Sequence, residues 1–156
     1  MNNLSDGARG GTMCFTKGAL AIGDGAKTGV AVPTTVIDYA IDGIGYATTA
    51  AATNKPLSAD TAQAALTKCL YLICVDADVA FTSVKGREVL VADLVAGNDV
   101  LEWPEVPANK VAIGAVKIET GAATTFTPGT TALDAANITD TYYNIVGGVP
   151  IKPLAS

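Results

Sequence analysis

The segment Lys68–Asp76, KCLYLICVD, constrains the fold more than any other part of the chain. Seven consecutive apolar residues are far fewer than the ~18 that a bilayer-spanning helix needs. They also lack the polar–apolar alternation of a half-exposed strand. A run of this kind reads as a strand buried on both faces.

Short apolar segments broken by turn residues surround it. Met13, Phe15 and Ala19 to Ile22 read as strands, with a turn at Gly23-Asp24-Gly25. Val30 to Tyr39 is rich in Val, Thr and Ile, and Pro33 within it points to an edge strand or a break. Asp42-Gly43 between two apolar runs predicts a hairpin. Residues 47–57, ATTAAATNKPL, read as a loop or internal boundary. Ser58 to Lys68 is expected to form a short helix with Ser58 as N-cap. After KCLYLICVD, VAFTSVKG alternates, and Arg87 to Val95 reads as another Val-rich run before a turn at Gly97-Asn98-Asp99. WPEVPANK suits an extended connector, Val111 to Thr120 a strand, and Pro128-Gly129 a type II turn. Leu133 to Asn144 is expected to give a helical turn and then a strand. Strands at roughly ten-residue spacing mean all-β: short antiparallel strands, with sandwich, barrel-like and intertwined oligomeric arrangements left open. Residues 1–11 form an N-terminal arm, 12–146 a single β-rich domain, and 147–156 an extended Gly/Pro-rich tail.

Composition narrows the function. Charged residues are 16% against 49% hydrophobic, where ordinary soluble domains carry ~25% charged. A surface so poor in charge suits a protein covered partly by neighbouring subunits. The net charge of −5 and scattered Lys and Arg give no footprint for nucleic acid or a membrane surface. The polar N-terminus lacks the apolar core of a signal peptide, so synthesis in the cytoplasm is expected.

The chemistry-bearing residues point away from catalysis. The chain has no histidine, which excludes Ser-His-Asp triads, Cys–His dyads and Cys–His zinc sites. On a strand, Cys69 and Cys74 point to opposite faces about 16 Å apart, too far to pair. With Cys14 they read as small core hydrophobes. AIGDGAKTG places Ala21 and Ala26 where a phosphate-binding loop needs glycines, so a glycine-rich hairpin loop is the better reading. On a strand, Asp76 and Asp78 would share one face, as a calcium site or a catalytic carboxylate pair requires. The further oxygen ligands of a calcium loop are missing, and a solvated strand end or turn is the better reading. No enzyme activity, cofactor, metal or small-molecule substrate is therefore expected. Trp103, the single tryptophan, reads either as an interface anchor or as a core cap.

Taken in order, several segments carry a resemblance: ALAIG, VIDYAIDGIGYATT, KCLYLICVDADVAFTSVKG, the P-x-x-P step at Pro104 and Pro107, KVAIGAVKIET and TFTPGTTALDAANITDTYYN. The chain resembles tailed-phage virion proteins of the head fibre, decoration or cement type, over about residues 19–146. The most telling pieces are Pro104 to Val116 and Phe126 to Leu133. The resemblance implies a homotrimer that sits on the capsid surface and binds the major capsid protein, with no catalytic residues. The alternative is a head or tail fibre or baseplate component with a host- or carbohydrate-binding surface. The expected interface residues are Leu4 and Arg9 in the arm, Trp103 and Pro104 in the connector, and Val149, Ile151 and Pro153 in the tail.

Overall fold

The computed structural model describes residues 11–23, 28–32, 36–49 and 53–154. The arm residues 1–10, Asp24 to Lys27 and Pro33 lie outside the described residues, so the expectations placed on them are not addressed. The described chain is all-β, built from antiparallel pairs.

The largest sheet runs in the order β11 (Ile138–Asn144), β10 (Lys110–Thr120), β7 (Thr67–Asp76) and β8 (Phe81–Lys85), with β9 (Val89–Leu90) also pairing with β7. A second sheet joins β1 (Met13–Cys14), β4 (Asp38–Ile41) and β5 (Ile44–Ala47). A third joins β2 (Ala21–Ile22), β3 (Gly29–Val32) and β6 (Thr53–Pro56). The pairings of the large sheet end at β11 and β8, so it does not close into a barrel.

β7 is buried on both faces, as its continuous apolar run requires. Cys69, Tyr71, Ile73 and Val75 enter one core with Tyr39, Ile41, Leu57 and Phe126. Leu70, Leu72 and Cys74 enter the other with Leu94, Leu101 and Ile145. Each large aliphatic so buried contributes about 1.5–3 kcal/mol. β10 keeps both cores filled through a bulge. Ala112 pairs with Cys74 and Gly114 with Ile73, leaving Ile113 as the extra residue. Val111 before the bulge, Ile113 within it, and Val116 and Ile118 after it therefore all reach the first core. A side chain at Gly114 would begin 2.5 Å from Leu20 Cδ1 and 2.8 Å from the Tyr143 carbonyl oxygen, so that position excludes a Cβ.

The turns follow their residues. Asp42 (φ 50°) and Gly43 (φ 79°) give the left-handed pair that a tight β4–β5 hairpin needs. Gly129 (φ 72°) takes the second central position of the Pro128-Gly129 turn, closed by Thr130 N–H donating to the Thr127 carbonyl (3.1 Å). The strand expected within residues 133–144 is β11, and the stretch 133–137 before it forms non-helical turns in place of the expected helical one.

Two further expectations fail. Residues 58–66 form no helix: Gln63 pairs with Phe126 through both backbone bonds (2.7 and 3.1 Å), and Ser58 and Ser83 exchange N–H to Oγ bonds (2.7 and 2.9 Å). These long-range bonds outweigh a weak local propensity. Arg87 to Val95 is not one strand. It divides into β9 and a short helix, α1 (Val91–Ala96), which buries Leu94. Gly97 (φ 72°) caps α1, with backbone bonds returning to Asp93 and Leu94. The stretch 47–57 ends in β6, and Leu57 lies in the core shared by Val30, Tyr39, Tyr71 and Ile118.

Candidate functional site

The polar groups that chemistry would use are tied into the fold. Asp76 closes the β7–β8 turn: Oδ1 accepts the N–H groups of Asp78 (3.1 Å) and Ala80 (2.9 Å), and Oδ2 accepts Lys110 Nζ (3.3 Å). The Ala80 amide, helped by Lys110, holds the Asp76 carboxyl below its ordinary range. Asp78 stands exposed in that turn, so the two carboxylates do not share a strand face. Burial pushes the thiols of Cys69 and Cys74 up to about 12, on opposite faces of β7. Cys14, Cys69 and Cys74 are free and buried, the state of small hydrophobic side chains. Among the described residues, no three His, Cys, Asp or Glu side chains gather where they could hold a metal. Nor is any described helix long and apolar enough to cross a membrane.

Two places on the described surface set exposed apolar side chains beside a hollow. The first unites the connector and the tail. Trp103 lies half-buried on the second core, edge-on to Tyr143 at 6.0 Å, and its indole N–H donates to the Lys152 carbonyl (3.1 Å). Leu101 and Leu154 pair through their backbones nearby. Between connector and tail lies a groove of about 370 Å³ walled by Trp103, Ile151 and Pro153, with Glu102 and Glu105 also lining it. Ile151 is 100% exposed. Arg87 anchors the connector's base by donating to both Asp99 oxygens (2.8 and 2.6 Å) and to the Val100 carbonyl (3.2 Å). The Arg87 bonds to its oxygens, together with the Val100 N–H donating to Oδ1 (2.8 Å), hold the Asp99 carboxyl at about 2.

Of the residues the sequence pointed to, Trp103, Ile151 and Pro153 therefore meet in one groove. Val149 packs half-buried against the second core. Pro104 is buried, its ring against Gly86, and holds the connector in place instead of facing outward. Leu4 and Arg9 lie outside the described residues. Tyr142 and Tyr143 pack against opposite cores.

The second place was missed by sequence reasoning. Leu66, Leu90, Val91, Ala92, Val95 and Ala96 line an apolar hollow of about 530 Å³ around α1. Leu66 is 53% exposed, Leu90 51% and Val95 82%. Leu66 also adopts a left-handed φ of 58°, uncommon for a residue with a bulky side chain. Gly97 directly after VADLVA was the available signal, because a helix stop there implies a short helix with one buried position and an apolar outer face.

Fold and surface define a class: an all-β protein with antiparallel sheets, a tail laid back over its own core, and exposed apolar side chains around α1. No family model matches the chain, and neither a curated protein nor a solved structure matches it.

Proposed function

We propose that this protein is a structural subunit of a tailed-phage virion that binds the outside of the capsid and stabilises contacts between major capsid proteins, as a decoration or cement subunit. The observation that carries the reading is the apolar hollow beside α1, where Leu66, Leu90 and Val95 are half or more exposed. Contiguous apolar area of that kind marks a surface that another protein covers. Ile151, exposed beside the Trp103 groove, adds a second contact point on the tail. Two separate contact areas let one small subunit engage more than one neighbour, and multivalency then multiplies individually weak contacts. In this reading the protein associates with itself as a homotrimer, is made in the host cytoplasm and ends on the virion surface.

The test mixes the purified protein with expanded capsids that lack it and follows co-sedimentation and capsid melting. Binding accompanied by a raised capsid melting temperature is expected, with Val95→Asp and Ile151→Asp each weakening it roughly tenfold or more. Absence of binding to any capsid form of a phage that encodes the chain would sink the proposal.

A second reading, a fibre or baseplate component with a carbohydrate-binding surface, is favoured by one feature. In the tail groove an indole ring lies near Glu102 and Glu105, an aromatic–carboxylate pairing suited to a sugar. Glycan binding that is lost in Trp103→Ala, without capsid binding, would favour it.

A further inference from the structure

The two edges of the large sheet are finished differently. On β8, the amides at 81, 83 and 85 face away from β7, because Gly86 N–H donates to Leu70 and Asp76 N–H to Ala80 at the two ends of the pairing. That edge is blunted: Ser58 and Ser83 bond reciprocally across it, and the Lys85 amine donates to the Thr61 carbonyl and hydroxyl. Ordinary edge protection takes this form.

β11 has none of it. The strand is seven residues long, without proline, lysine or a bulge in its pairing with β10. Gly121 N–H donates to Asn137 at one end and Ile145 N–H to Ile113 at the other. The alternation of an antiparallel ladder then points the backbone N–H and C=O groups of Thr139, Thr141 and Tyr143 at β10, and those of Asp140, Tyr142 and Asn144 away from it. Among the described residues, no backbone group donates to or accepts from the outward amides and carbonyls of those three.

We infer that β11 is a self-association edge, pairing antiparallel with β11 of a second copy about a two-fold axis at Tyr142. The register argues for a copy of this chain over an unrelated strand. With Tyr142 opposite its counterpart, Asp140, the one charged residue of the strand, lies opposite Asn144 of the second copy. Asn144 Oδ1 already accepts the Ala19 N–H (2.6 Å), which leaves its amide NH₂ to donate to the facing carboxylate. Three outward residues on each strand give about six backbone hydrogen bonds across the pair. A register centred on Asp140 would instead set two carboxylates face to face, which is destabilising. The contact is independent of the capsid reading. A two-fold pair joins two copies, or two larger rings, but cannot by itself close a ring of three.

The test is amide hydrogen exchange on the native chain, read residue by residue from dilute to near-millimolar protein, alongside light scattering. Thr139, Thr141 and Tyr143 should be protected at every concentration. Asp140, Tyr142 and Asn144 should exchange freely when dilute and slow by roughly tenfold or more as the mass doubles. Asp140→Pro removes one outward N–H without touching the β10 ladder, and should return the mass to its dilute value with the fold intact. Outward amides that exchange freely at all concentrations would overturn the inference, whatever the variant does. So would a doubled mass that persists in a folded Asp140→Pro protein.

Discussion

Gln63 offers the sharpest test of how this fold is held, because its fully buried amide ties together three segments. Nε2 donates to the carbonyls of Thr67 (3.2 Å) and Ile118 (3.1 Å), and Oε1 accepts from the Tyr71 hydroxyl (3.2 Å). Gln63→Leu preserves the approximate volume and deletes all three bonds. The two carbonyls have other donors: Thr120 Oγ1 reaches Thr67, and Ile118 lies opposite Cys69 in the β7–β10 ladder. Each lost second bond costs about 0.5–1 kcal/mol. The Tyr71 hydroxyl is different. It is buried against Phe126 with Gln63 as its partner, so orphaning it costs about 1–3 kcal/mol. Leucine's easier transfer from water offsets about 1 kcal/mol. The expected net loss is about 1–4 kcal/mol, a drop in Tm of roughly 3–12 °C for a chain of this length. Adding Tyr71→Phe removes the orphan, so the double variant should recover about 1–2 kcal/mol relative to additivity. Urea unfolding of the four proteins measures the cycle. A loss below about 0.5 kcal/mol for Gln63→Leu, or strictly additive variants, would refute the account of Gln63 as a buried hydrogen-bond hub.

Three further outcomes are expected. The Asp99 carboxyl, held at about 2 by Arg87, should titrate near that value by carbon NMR and move toward ~3.9 in Arg87→Ala. Because its folded pKa lies below the unfolded one, its contribution to stability is complete above about pH 4 and disappears as pH falls through 2. Cys69 and Cys74, pushed up to about 12, should resist a thiol reagent at pH 8 in the native protein and react at once in denaturant; native labelling faster than global unfolding would contradict their burial. Gly129→Ala should destabilise clearly more than Gly97→Ala, each by chemical denaturation. Both glycines have φ 72°, costing an L-residue about 1 kcal/mol, but only at Gly129 would the new Cβ meet a backbone atom, 2.5 Å from the Leu57 carbonyl oxygen.

Much of this architecture is legible in the one-dimensional pattern. The continuous run from Cys69 to Val75 is too apolar to face water on either side, so β7 had to be central, and its two cysteines had to part to opposite cores. Asp42-Gly43 and Pro128-Gly129 encode their turns through backbone geometry that few other residues tolerate. Those signals are local, and local physics suffices for them.

The helix expected over 58–68 and the strand expected over 87–95 were lost for a reason local physics cannot supply. Ser58 looks like an N-cap until Ser83, 25 residues away, becomes its partner. Gln63 looks like a surface residue until Phe126 pairs with its backbone and Tyr71 with its side chain. Likewise, the meeting of Trp103 with Ile151 and Pro153 depends on a tail that folds back across the second core, and the outer edge of β11 is left open by the described residues only because of where those segments go. Patterning determined which stretches are strands and which must be buried. Only the tertiary structure decided which surfaces remain uncovered, because exposure is a property of the packed whole and no single segment encodes it.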